Sequence, residues 1–142
     1  MARRVLLYVE DDDAAFFAMQ LTLEEAQAAI ELHRAADGEQ ALAFIHRKNP
    51  YEHAPRPDLI VLDLNLPKRS GMDVLAEIKN DESLRSIPVI MFSSSRRELD
   101  EDRSLKLGAQ DYVTKPSSLE GFAETVKRAF SLPEGGRKEG GP

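Results

Sequence analysis

The sequence contains no cysteine, so disulfides, zinc ribbons and thiol catalysis are excluded at once. It also lacks any apolar run long enough to cross a bilayer. The run near the start, Val5-Leu6-Leu7-Tyr8-Val9, stops at Glu10-Asp11-Asp12-Asp13. Even with Arg3-Arg4 in front of it, that is too short for the apolar region of a signal peptide. A cytoplasmic protein with no membrane partner is expected. Nor is there an excess of basic charge: the formal net charge is −6, whereas a general nucleic-acid binder needs a basic face to meet phosphates. No nucleic-acid partner is expected either. The three histidines, His33, His46 and His53, lack metal-ligand spacing and read as surface residues.

What remains is a chain of 142 residues, enough for one compact domain, with 42% hydrophobic residues to fill a single core. After Phe130 the sequence turns to Pro133-Glu134-Gly135-Gly136 and ends in Gly140-Gly141-Pro142, so a domain over residues 1–130 and a flexible tail over 131–142 are expected. Unbroken apolar runs at Val5–Val9, Leu59–Leu62 and Val89–Phe92, with a shorter one at Tyr112-Val113, read as strands covered on both faces of a parallel sheet. Ile30-Glu31-Leu32-His33 alternates and reads as an edge strand.

Helical spacing fills the intervals. Phe16, Met19 and Leu23 form one stripe, and Leu119, Phe122, Val126 and Phe130 another. Leu42 with Ile45 and Val74 with Ile78 mark two shorter helices, while Glu98–Leu107 makes no clean stripe and reads as a loosely held helix. Helix starts are marked by Asp37-x-x-Gln40, Ser70-x-x-Asp73, Ser95-x-x-Glu98 and Ser117-x-x-Glu120, with Asp12 or Asp13 before the first helix. Gly108 suits a left-handed helix end, and the proline-rich Asn49–Pro57 a surface loop. Strand and helix alternate five times, which implies a doubly wound α/β fold with its ligand site beyond the carboxyl ends of the strands.

Polar residues fall at those ends: Glu10-Asp11 after the first strand, Asp63 after the third, Ser93 after the fourth, Lys115-Pro116 after the fifth. Three carboxylates in one cleft repel one another unless cations join them. Lys115 supplies one positive charge, and hard oxygen ligands without histidine or cysteine favour Mg²⁺ for the rest. Such a site suits phosphoryl transfer to a carboxylate nucleophile, with Asp63 as the acceptor. A phosphohydrolase would need a second acid near the nucleophile, and the residue two positions on is Asn65. A flavin binder of the same fold class would need a phosphate-cradling loop after the first strand, where this chain has acids.

Val9-Glu10-Asp11-Asp12, Leu62-Asp63-Leu64-Asn65-Leu66-Pro67, Gly71-Met72, Pro88–Ser93 and Gly108–Pro116, in this order, resemble the motifs of the response-regulator receiver family. The resemblance covers roughly residues 3–130. It implies a flavodoxin-like (βα)5 three-layer sandwich with a parallel sheet in the order 2-1-3-4-5. It implies a signalling protein, not an enzyme, that accepts a phosphoryl group on Asp63 from a sensor histidine kinase or phosphotransfer protein. Asp11 and Asp63 would bind Mg²⁺ directly, with Glu10 completing the acidic pair and Asn65 contributing its backbone carbonyl. Ser93 and Lys115 would bind the phosphoryl oxygens, and Lys115-Pro116 would be a cis peptide. Ser93 and Tyr112 would form the switch, Tyr112 turning inward as Ser93 moves. The Asp-Leu-Asn-Leu-Pro-Lys run and the lack of an output domain also resemble small receivers paired with phytochrome-like kinases. Such receivers often dimerise through the fourth and fifth helices or strand, which leaves a homodimer open.

Overall fold

The computed structural model describes residues 4–25, 29–93 and 98–114, together with Gly121, Glu124, Arg128 and Phe130, which are helical. The expected tail, the caps at Ser95 and Ser117, and most of the last helical stripe lie outside the described residues. Five strands, β1 (Arg4–Val9), β2 (Ile30–Ala35), β3 (Leu59–Asp63), β4 (Val89–Ser93) and β5 (Asp111–Thr114), alternate with α1 (Asp13–Glu25), α2 (Gly38–Ile45), α3 (Gly71–Lys79) and α4 (Glu98–Lys106). All pairings are parallel and the order is β2-β1-β3-β4-β5. The β2 strand is an edge, as its sequence suggests.

Side chains alternate across a strand, so an unbroken apolar run fills two cores at once. Leu7, Val9, Ile60, Leu62, Val89 and Met91 pack with Leu42 and Ile45 of α2 and Val74, Leu75 and Ile78 of α3. On the opposite face Leu6, Tyr8, Leu59, Val61, Ile90 and Phe92 meet Met19 and Leu23 of α1, with Phe16 and Phe130 at the margin. This is the three-layer arrangement. Among the described residues no helix is long and apolar enough to cross a membrane.

The helix ends form as their sequences dictate. Asp12 Oδ1 accepts the Ala14 N–H, Asp37 Oδ1 that of Gln40, and Ser70 Oγ that of Asp73. Gln40 reaches back to the Ala36 N–H, one residue before the cap, at 2.8 Å. Gly108, at φ +110°, closes α4: its N–H meets Leu105 O while the Ala109 N–H meets Ser104 O. Among the described side chains of α4, Ser104 is the one that is buried, and Leu107, just past the helix, is exposed.

Two histidines depart from expectation. His33 is half-buried, its ring 5.4 Å from that of Phe44 and its Nε2 on Glu31. His46 is half-buried too, against Glu77. An aromatic ring can pack its flat face while its nitrogen stays near a carboxylate, which a reading by spacing alone does not capture. Of the three, only His53 is exposed.

Candidate functional site

Strand order brings the acids together. Because β1 and β3 are adjacent, the residues that follow Val9 and the last residue of β3 lie side by side. One carboxylate oxygen from each of Glu10, Asp11 and Asp63 lies within 4.8 Å of the others. Opposite ligands of an octahedral Mg²⁺ stand about 4.2 Å apart, so a small adjustment would seat the ion. An oxygen-only donor set of this charge fits a hard divalent cation.

Burial divides the three. Asp11 is exposed, whereas Glu10 and Asp63 keep only 1% and 5% of their surface accessible. Asp63 Oδ1 accepts the Asn65 N–H at 3.1 Å, which fixes the carboxylate at the turn leaving β3. Asn65 itself is exposed. Glu10 is gripped on both oxygens: the Tyr8 hydroxyl donates to Oε1 at 2.9 Å, and the Asp12 N–H to Oε2 at 3.2 Å. Burial first, then Glu10, and further off Asp63 and Asp12, push the Tyr8 hydroxyl far above its usual pKa, so it remains a donor at every physiological pH. The Arg34 Nε donates to Glu10 O at 3.0 Å while its Nη1 meets Asp13 at 2.8 Å.

Two glycines hold the loop beyond Asp63 in place. Gly71 opens α3, and a Cβ there would stand 2.3 Å from Asp63 O and 2.9 Å from Leu64 Cα. Gly38 opens α2, and a Cβ there would stand 2.3 Å from Arg69 O. Between them Lys68 adopts φ +70°, uncommon for a residue with a side chain, with its Nζ 3.7 Å from Asp37 Oδ2.

The remaining expected residues line the neighbouring strands. Phe92 pairs with Asp63 across β3 and β4, so Ser93, fully buried, ends β4 beside the acids. Tyr112 pairs with Met91 and packs half-buried against the core. Thr114 stands in register with Ser93. Lys115 and Pro116 follow it and lie outside the described residues, so the expected lysine contact and cis bond lie outside them too.

Sequence reasoning missed Tyr8, Arg34, Gly38 and Lys68. Tyr8 was legible in principle: it stands two residues before Glu10, and period-two alternation puts both on the face that carries α1. Arg34 needed the register, which pairs it with Tyr8.

Comparison with known proteins agrees with this geometry. A family model described as response regulator receiver domain matches residues 6–127. Response regulator Rcp1 of Synechocystis is 40% identical over 124 residues, covering 87% of this chain and 84% of that protein. Among solved structures, the Mn²⁺-bound form of Rcp1 superposes with a TM-score of 0.81 at 40% identity, covering 90% of this chain and 92% of that one. The phosphorylated cyanobacterial phytochrome response regulator RcpA gives 0.82 at 39% identity, covering 89% and 91%.

Proposed function

The chain belongs to the response regulator receiver family, and on that premise we propose that it is a phosphorylation switch whose acceptor is Asp63. The observation that carries the proposal is the gathering of Glu10, Asp11 and Asp63 at the end of β1 and β3, with buried Ser93 ending the next strand. An Asp63 carboxylate oxygen attacks the phosphorus of a phosphohistidine, forming an O–P bond as the P–N bond breaks and the imidazole departs. A bound Mg²⁺, held by Asp11, Asp63 and the Asn65 carbonyl with Glu10 nearby, would neutralise charge on the transferring group. Asn65 fixes the orientation of the nucleophile through its N–H. The Ser93 hydroxyl and the Lys115 ammonium would bind the phosphoryl oxygens.

Phosphorylation adds nearly two negative charges, which draw Ser93 and Lys115 inward and let Tyr112 follow. The β4–β5 pairing of Ser93 with Thr114 and Met91 with Tyr112 supports this reading for Ser93 and Tyr112, and α4, exposed at Glu101, Asp102, Arg103 and Lys106, would be the element to respond. The donor would be a cytoplasmic sensor histidine kinase of phytochrome type, as the name of the related RcpA suggests, or a phosphotransfer protein. A homodimer through α4 and β5 would suit the same reading.

Incubation with Mg²⁺ and acetyl phosphate, read by intact mass, tests this. One phosphoryl adduct is expected, dependent on Mg²⁺ and absent in Asp63→Asn. An adduct that survives in Asp63→Asn would move the acceptor elsewhere, and steady turnover of small phosphoesters would favour a hydrolase.

A further inference from the structure

We propose that Tyr8 is a positioning residue that sets the metal preference of this site, by holding Glu10 in the outer sphere of the ion. The inference rests on the reading that the acidic cluster binds Mg²⁺. The Tyr8 side chain is fully buried, and its ring is wedged between Phe16, stacked at 6.1 Å, and Phe92, edge-on at 6.1 Å. A ring fixed on two sides cannot swing, so its hydroxyl has one place to donate. That place is Glu10 Oε1, while the Asp12 N–H holds Oε2.

A carboxylate that accepts a protein hydrogen bond on each oxygen has part of its charge already met, and swinging the group to bring an oxygen onto an ion strains those bonds inside a buried site. Asp11 has no such burial, and the Asn65 N–H turns Asp63 Oδ1 at the start of the loop. The division of labour follows: Asp11 and Asp63 touch the ion, and Glu10 receives hydrogen bonds from the water that the ion keeps. Mg²⁺ dehydrates reluctantly and retains several waters, so it fits two direct carboxylates and an outer one. Ca²⁺ takes six to eight oxygens with flexible geometry and would gain from a third direct carboxylate. The tyrosine therefore favours the smaller ion by denying the larger one a ligand.

The test measures Mg²⁺ and Ca²⁺ affinities by competition against Mn²⁺, with inner-sphere waters on Mn²⁺ counted by proton relaxation. Tyr8→Phe keeps the ring packing and removes the hydroxyl alone. It is expected to cost Mn²⁺ one inner-sphere water and to raise Ca²⁺ affinity relative to Mg²⁺ by about tenfold, the scale of one charge-assisted hydrogen bond. In a Glu10→Gln background, where no anion remains to be released, the same substitution should leave the ratio unchanged. A folded Tyr8→Phe protein with unaltered ratio and water count would overturn the proposal. So would an equal shift in the Glu10→Gln background, which would trace the effect to general loosening. Asp63→Asn separates the two levels. If the wild-type protein binds no divalent ion, the metal reading itself fails; if it binds one that Asp63→Asn loses, only the role of Tyr8 is in question.

Discussion

At the end of α3 the Lys79 ammonium turns inward, donating to Arg85 O at 2.9 Å and Ile87 O at 2.8 Å. Burial lowers its pKa from 10.5 to about 8. The unfolded chain keeps that proton to higher pH, so between about pH 8 and 10.5 the unfolded state binds more protons and this residue's contribution to stability rises with pH. Tyr8 acts in the opposite sense. Its pKa is raised by folding, so its contribution is complete below 10.0, the value of an unperturbed tyrosine, and is lost as pH climbs past it. The urea midpoint is therefore expected to climb from about pH 8 towards 10 and to turn down beyond it. Lys79→Met should abolish the climb and leave the downturn; a climb that persists would remove Lys79 as its cause. Neither residue announces this in sequence. Lys79 looks like an ordinary cation in a last helical turn, and Tyr8 like one more apolar strand residue, because burial and partners belong to the folded chain. Glu10, Asp11 and Asp63 were legible because they stand at the carboxyl ends of apolar runs.

The start of α3 lies close against the loop that follows Asp63. The Gly71 N–H donates to Leu64 O at 3.0 Å, and no methyl group fits between the helix start and Asp63 O. Gly71→Ala must shift backbone on one side or the other, at a cost of about 1–3 kcal/mol, the range for overpacking a filled site. Since the atom in the way is the carbonyl of Asp63, the proposed acceptor, adduct formation with acetyl phosphate should slow as well. Ser70→Ala removes the adjoining cap for about 1 kcal/mol and should leave that rate alone, because the Ser70 hydroxyl accepts the Asp73 N–H and, among the described residues, bonds nothing nearer Asp63. Thermal melts and adduct time courses on both variants check this; equal rates in Gly71→Ala and wild type would contradict the close approach. Elements were read well wherever a cap and an apolar stripe coincided, as at α2 and α3. The α4 helix was harder, since among its described side chains the buried one is Ser104, whose hydroxyl meets Met72 Sδ at 3.7 Å across the core margin.

For the whole molecule, the acids that define the site also oppose folding. Two nearly buried carboxylates and an exposed one are held together in a chain already at −6. A divalent ion that binds only the folded state relieves this by mass action, worth about 2.7 kcal/mol at a hundredfold excess over Kd. For a domain of this size Mg²⁺ should raise Tm by roughly 5–10 °C. The shift should shrink in Asp63→Asn and vanish on addition of a chelator. An equal shift in wild type and Asp63→Asn would show that the ion acts elsewhere.

Apolar runs, their alternation with amphipathic stretches, and the placing of acids after strands are properties of the chain itself, because burial on both faces demands continuous hydrophobicity and helix starts demand caps. They determined the fold class and the acidic cluster, and they point to Asp63 as the proposed acceptor. Which side chain grips which could not be read there. The hydroxyl of Tyr8 on Glu10, the approach of Gly38 and Gly71 to the loop, and the inward turn of Lys79 depend on register and on helix-to-sheet distances. Those follow from packing the two cores together, which no local stretch of sequence records.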